Sequence, residues 1–241
     1  MPPRAPISRP FLLHNIEFRP EFIDFQRGIR VGNLNDNERI SRILKLALES
    51  KYRQPFVTER WGRGVYWQWI GCLVKANRTV KPISSNISFG CSKFFIMMDT
   101  EEQSFKCGLQ VERGFIRAPI GYAKFKLCDD WDWYQLLRAL RPKGPMEKEL
   151  KRLVMREGFL LQAGSWHSTT THFSKTNFPS MSQLRATLTK APVTRWAGLM
   201  IYFSMNEKEV QSTCGVDLVE SMLAIFQELT PAMRLCIQTP L

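Results

Sequence analysis

Asp99 and Glu112 are the carboxylates best placed to do chemistry, because each ends an extended apolar stretch. Metal-assisted phosphodiester cleavage needs two or three carboxylates converging on a divalent ion, often with a lysine. Asp99 closes the apolar run 94–98, and Glu112 ends the alternating run 105–111 with Arg113 beside it. A hairpin turning near residue 101 holds Asp99 at its turn and Glu112 far from it, so these two do not converge on their own. Asp129, Asp130 and Asp132 form a second acidic cluster. Its plain reading is negative charge at a helix N-terminus, complementing the macrodipole.

Other catalytic constellations are incomplete. The three histidines are His14, His167 and His172. His167 and His172 fall in a Ser/Thr-rich stretch, not one turn apart on a helix, and no cysteine pair stands near them, so no metal site is expected. The six cysteines, Cys72, Cys91, Cys107, Cys128, Cys214 and Cys236, form no CxxC pair and sit within apolar patterns. They read as reduced core thiols of a cytosolic protein, with an extracellular disulfide framework as the alternative. No GxSxG elbow is present. The run Trp61-Gly62-Arg63-Gly64 lacks the Lys-Ser/Thr ending and the following helix of a phosphate loop, and its glycines read as a sharp turn before a strand. No cofactor is expected, and the balance of these signals leans away from an enzyme.

Binding chemistry is better represented. The net charge is +12, which favours association with polyanions. Residues 1–100 hold 16 Lys and Arg against 8 Asp and Glu, twice the excess of the remainder. Within residues 51–81, Lys51, Arg53, Arg60, Arg63, Lys75, Arg78 and Lys81 face a single acid, Glu59, and Tyr52, Trp61, Tyr66, Trp67 and Trp69 lie among them. Cations neutralise phosphates, and exposed aromatic faces stack on unpaired bases. The candidate nucleic-acid contacts are therefore Arg39, Arg42, Lys45, Arg60, Trp61, Arg63, Lys75, Arg78, Lys124 and Lys126. Trp67 and Trp69 alternate along a strand as core residues do, whereas Trp61 stands beside glycines and arginines and is the better stacking platform. No helix-turn-helix, RNP or zinc-finger signature accompanies them.

The elements that must position these residues follow from periodicity. Phe105, Cys107, Leu109 and Val111 alternate with Lys106, Gly108, Gln110 and Glu112, the pattern of an antiparallel hairpin with one face on a core. Residues 65–74 read as a central strand, apolar on both faces, and residues 11–18 and 122–127 as further strands, the latter with Lys124 and Lys126 outward. Asn35 with Glu38 makes a capping box before a helix whose inward stripe is Ile40, Ile43, Leu44 and Ala47, leaving Arg39, Arg42 and Lys45 outward.

Later helices carry Leu136, Leu137 and Leu140, then Met146, Leu150, Leu153 and Val154 behind Pro145. A short strand is expected at 159–163 and a loop over 164–179. Ser180 with Gln183 opens the next helix, and residues 196–203 form a strand. Asn206 with Glu209 caps a short helix, and Asp217 with Glu220 opens the last one, which Pro231 ends. The apolar end, residues 236–241, reads as docked on its own domain, or as an oligomer contact.

The expected fold is α+β, a mostly antiparallel sheet with helices packed on it and concentrated in the C-terminal half. Residues 1–10 are read as a flexible arm and 11–241 as a single domain. No window is apolar enough for a membrane helix, so no membrane partner is expected. The leading expectation is a basic, non-enzymatic, nucleic-acid-associated component of a cytosolic assembly. The alternatives are a metal-dependent phosphodiesterase or nuclease and a scaffold for an acidic protein partner.

Overall fold

A computed structural model describes residues 15–80, 83–84, 87–88, 90–114, 131–166 and 169–241. The expected strand 122–127, with Lys124 and Lys126, lies outside the described residues, as do the arm 1–10, His14, His167, Cys128, Asp129 and Asp130.

The order of elements is a 3-10 turn at Pro20–Phe22, β1 (Ile23–Asp24), β2 (Gly28–Arg30), α1 (Ile40–Tyr52), β3 (Phe56–Arg63), β4 (Tyr66–Val74), α2 (Lys75–Thr79), β5 (Ile83–Ser84), β6 (Ile87–Ser88), β7 (Ser92–Asp99) and β8 (Ser104–Arg113). There follow α3 (Asp132–Ala139), α4 (Pro145–Met155), β9 (Leu160–Ser165), β10 (Thr169–Phe173), α5 (Met181–Lys190), β11 (Ala197–Met205), α6 (Glu207–Gln211) and α7 (Gly215–Arg234). The fold is α+β, and five of the seven helices among the described residues follow residue 131.

Nine strands form one sheet in the order β1-β2-β4-β7-β8-β11-β9-β10, with β3 also paired to β4. Every pairing among the described residues is antiparallel. The alternation along 105–111 carries through to packing. Phe105, Cys107, Leu109 and Val111 join Phe94, Ile96 and Met98 of β7 and Ile70, Cys72 and Val74 of β4 in the main core. The helices close that face: the stripe Ile40, Ile43, Leu44 and Leu48 of α1 enters the same core as Leu218, Met222, Phe226 and Leu229 of α7. Phe226 stacks on Phe94 with ring centroids 4.8 Å apart. Burying such a side chain contributes roughly 1.5–3 kcal/mol.

Several local expectations are corrected. Residues 15–18 are not strand. The loop expected over 164–179 holds the end of β9 and all of β10, because Thr169–Phe173 pairs along Leu161–Ser165 and satisfies its backbone on the sheet. Helix α1 starts at Ile40, with the Asn35–Glu38 contact closing a turn just ahead of it. The Asn206–Glu209 capping box forms as expected, and Ser180 Oγ accepts from the Gln183 N–H. Helix α7 starts two residues before Asp217, capped by Cys214, and runs through Pro231 to Arg234. Burial of Ala232, Met233 and Cys236 holds the last turn against the loss of one N–H.

The described cysteines form no disulfide with one another, and Cys72, Cys91, Cys107 and Cys236 are buried. Cys214 departs from the expectation of a core thiol: it is exposed. Burial pushes the Cys72 and Cys236 thiols up to about 12. Among the described residues no helix is long and apolar enough to cross a membrane.

Two side chains tie the ends together. Arg113 is buried, and its guanidinium donates to the carbonyls of Gly114, Ala191, Pro192 and Arg195, so β8 grips the loop that leads into β11. Asp132 is buried and accepts from Asn77 Nδ2 at 2.8 Å, from the Ser92 N–H, and from the Gln238 N–H at 2.8 Å. The C-terminal segment thus docks on its own chain, with Cys236 in the core and Ile237 and Leu241 packed against it.

Candidate nucleic-acid interface and the buried charge network beside it

The second face of the sheet follows from register. Strands β3 and β4 pair one to one as far as Trp61↔Trp69, then a bulge shifts the register so that Gly62 faces Trp67. One extra residue reverses side-chain parity. Trp69 therefore belongs to a second-face cluster with Phe95, Met200 and Tyr202, while Trp67 packs against the main core. Gly62 is required at that bulge: its φ is 154°, and a Cβ there would stand 2.4 Å from the Trp67 Cα. Only Trp61 is left in solvent, 62% exposed.

The corner of β2, β3 and β4 carries arginines on both faces of the sheet: Arg63 shares the face of Trp61, Arg60 lies on the opposite face with Ile70 and Trp67, and the Arg30 guanidinium lies 5.7 Å from the Phe22 ring. Arg63 and Arg30 both sit opposite Tyr66, one on each neighbouring strand. The Arg60 guanidinium lies 4.1 Å over the Trp67 ring and the Arg27 guanidinium 4.5 Å over Tyr66. Stacking holds each planar group while leaving its in-plane N–H donors at the edge. Arg27 is also paired to Asp24 at 2.5 Å. Among the described residues Arg30, Arg60 and Arg63 form no ion pair. The turn is clamped from below, since Val65 O accepts from the N–H groups of Val31 and Gly32 at 2.8 and 3.2 Å.

The other candidate contacts are placed elsewhere. Arg39 donates to the carbonyls of Val31 and Leu34 and pairs with Asp36, which also pairs with Arg42. Lys45 pairs with Glu49 within α1. Lys75 is exposed at the far end of β4, about 30 Å from Tyr66 at the usual rise per residue. Arg78 pairs with Glu59 at 3.3 Å. The structure therefore keeps Arg63 on the face of Trp61 and turns Arg60 to the opposite face, and it adds Arg27 and Arg30, which the sequence reading passed over. The charge of 27–30 was visible, but nothing local in the sequence joins β2 to the start of β4.

Beside the corner, two residues from Trp61 along β3, lies a charge network inside the protein. The Lys93 ammonium donates to Glu59 at 2.7 Å and to Glu112. Gln110 Nε2 donates to the second oxygen of Glu112 at 2.6 Å, and Trp69 Nε1 donates to the Gln110 oxygen at 3.0 Å. Glu59, Lys93, Gln110 and Glu112 are all buried. Burial acts against the Lys93 charge, but Glu112 and Glu59 outweigh it and raise the lysine above its ordinary value. Burial likewise pushes the Glu112 carboxyl above the ordinary carboxylate range, with Lys93 offsetting only part of that.

A parallel arrangement holds Lys106. It is buried 5.1 Å from the Tyr202 ring centroid and paired to Asp99 at 2.8 Å and Glu102 at 2.6 Å. Burial works against the Asp99 charge, but Lys106 and the N–H groups of Glu102 and Glu101 hold its carboxyl below the ordinary range.

The two weak catalytic candidates are thus separated as the hairpin geometry requires, Asp99 opposite Ser104 at the turn and Glu112 beyond the Ser92↔Val111 pair. What the sequence missed is Glu59, which reaches Lys93 from β3 across Gly71. Glu59 and Gly71 are register partners, and a Cβ on Gly71 would stand 3.2 Å from the Lys93 side chain and 2.3 Å from Trp69. Gly71→Ala is therefore expected to lose about 1–3 kcal/mol by displacing both side chains, measured by urea denaturation. Unchanged stability would show that neither lies over that glycine. Among the described residues no three His, Cys, Asp or Glu side chains gather to hold a metal ion.

No family model matches the chain, and a search of curated proteins returns no relative.

Proposed function

We propose that this chain is a nucleic-acid-associated, non-enzymatic component of a cytosolic assembly, and that it meets nucleic acid through the corner built from β2, β3 and β4. One observation carries the reading: Arg30, Arg60 and Arg63, none in an ion pair among the described residues, lie on the strands of the corner that also exposes Trp61, Arg63 on the face of that indole and Arg60 on the opposite face. Lysines and arginines already matched to acids have little to gain from a phosphate, whereas unmatched ones release counterions when they bind. The full chain should bind a generic oligonucleotide with an affinity that falls steeply with salt. Arg60→Gln with Arg63→Gln should reduce the slope of log K against log salt by about 1–2. No binding at low salt removes the reading.

A second reading, an enzyme acting on phosphodiesters, is favoured by the convergence of Glu59 and Glu112 on Lys93. Two carboxylates and a lysine are part of what metal-assisted hydrolysis uses. Here Lys93 occupies both carboxylates and all three are buried, so a substrate or ion would have to displace it. Magnesium- or manganese-dependent cleavage lost in both Glu112→Gln and Glu59→Gln would establish that reading, and cleavage unchanged by either would exclude these residues.

A further inference from the structure

Strand β3 forms an edge of the sheet, since β4 is its only strand partner among the described residues. Two bonds at its start fix which of its backbone groups face outward. The Lys75 N–H donates to the Pro55 carbonyl at 2.9 Å, so residue 55 faces β4. The Phe56 N–H turns away and donates to the Glu49 side chain at 3.0 Å. In an antiparallel ladder this alternation continues along the strand, so Thr58 and Arg60 also turn their N–H and C=O groups away from β4. Both residues are exposed, and these groups have no partner among the described residues. The other end of the sheet differs, because on β10 the His172 carbonyl accepts from Asn177 Nδ2 at 3.0 Å. An open row of alternating donors and acceptors is complementary to another extended backbone.

The side chains of the edge select the kind of backbone. Arg60, braced on Trp67, and Arg63 lie on opposite faces of β3, and Trp61 shares the face of Arg63. Neither arginine forms an ion pair among the described residues. A flat ligand meets one face only, whereas a strand laid along β3 meets both, because its side chains alternate between them. We propose that the outer edge of β3 takes up an extended acidic segment of a partner protein as a further strand, with acidic side chains against Arg60 and Arg63 and an apolar one against Trp61. Opposite-charge and aromatic cross-strand pairs are the kind that stabilise sheets. A second copy of β3 would bring its own Arg60 and Arg63 to that edge, so the cations that guard it against self-pairing also favour an acidic partner. This surface stands apart from the nucleic-acid reading, which uses the arginine side chains but not the backbone edge.

The test is fluorescence anisotropy of the full chain with a short labelled peptide of alternating Glu and Val, blocked at both ends. The comparison probes are the same peptide methylated on its amide nitrogens, its Lys–Val counterpart, and an oligothymidine. Thr58→Pro removes an outward N–H and keeps both cations, at an edge position of the kind that admits proline, with thermal denaturation as the folding control. It is expected to weaken Glu–Val binding about 10-fold or more and to leave oligothymidine binding unchanged. Arg60→Gln with Arg63→Gln should weaken the peptide roughly 3- to 30-fold, and Trp61→Ala about 2- to 5-fold. The methylated peptide should not bind, and it tests the backbone on the unaltered protein should Thr58→Pro fail to fold. Equal affinity for the plain and methylated peptides would mean that charge alone is read and would overturn strand addition. Equal affinity for the Lys–Val peptide, or no binding of the Glu–Val peptide at low salt, would overturn the proposal as well. A dimer in light scattering that Thr58→Pro dissolves would give the edge to a second copy instead.

Discussion

Lys93→Met is expected to unfold the protein more readily than any other single replacement in the second face, at a cost of about 3–5 kcal/mol. The reason is asymmetry. Removing the lysine spares the cost of burying one charge but strips Glu59 and Glu112 of the cation they share, and both carboxylates are buried. The pH dependence follows from the directions above. The folded-state Lys93 pKa is raised, so its stabilisation is complete below the ordinary lysine value and is lost only as pH rises through the raised one. Below the ordinary lysine value Lys93 itself therefore adds no slope, and the slope comes from Glu112, which is raised even with Lys93 beside it and is raised further without it. The penalty should accordingly grow as pH rises and shrink toward acid, where a carboxyl deprived of Lys93 takes up a proton.

Adding Glu112→Gln to Lys93→Met should recover part of the loss. Urea denaturation at three pH values checks all of this, and a Lys93→Met protein within 0.5 kcal/mol of the parent (about the ordinary reach of surface substitutions) would show that the network holds nothing together.

Asp132→Ala is expected to cost a similar amount, about 3–5 kcal/mol, by a different route. A single carboxylate accepts from α2 through Asn77, from the first residue of β7 through the Ser92 N–H, and from the C-terminal segment through the Gln238 N–H. Bonds to an ionised acceptor are the stronger kind, and three are lost at once. Asp132→Asn should recover part of this, since its carbonyl oxygen can still accept from Asn77 and Ser92 while its NH2 would oppose the Gln238 N–H. The local consequence is distinctive. Cys236, buried with its thiol pushed up to about 12, is inert in the parent and should become reactive once residues 236–241 loosen. Thiol labelling in a Cys214→Ser background reads this directly, because Cys214 is already exposed. If labelling of Cys236 is unchanged while global stability falls, Asp132 does not hold the C-terminal segment.

Much of the architecture was legible along the chain because it depends on neighbours. Alternation at 105–111 specifies a strand and its inward set, and the stripe of Ile40, Ile43 and Leu44 specifies an amphipathic helix, each from a spacing of two to four residues. The caps at Ser180 and Asn206 are contacts over three residues and were readable for the same reason. Strand β10 was not, since a Thr-rich run becomes a strand only where an edge is offered to it. Pro231 likewise ended a helix by local rules, but packing of Met233 and Cys236 carried the helix past it.

The corner at residues 60–63 divides along the same line. The residue types of 60–63 announced cations, an aromatic and a turn, and the exposure of Trp61 agrees with its company of glycines and arginines. Which cations are free was decided by ion pairing: Arg39, Arg42, Lys45 and Arg78 are matched to acids, while Arg30 arrives from β2 through a register with Tyr66.

The polar set Lys106, Gly108, Gln110 and Glu112 alternates as a solvated face should, yet Lys106, Gln110 and Glu112 are all buried. Alternation records only that a face differs from its opposite. Whether that face meets water depends on partners such as Glu59 and Lys93, brought together from β3 and β7 by strand register, and no local spacing encodes a pairing between strands so far apart in the chain.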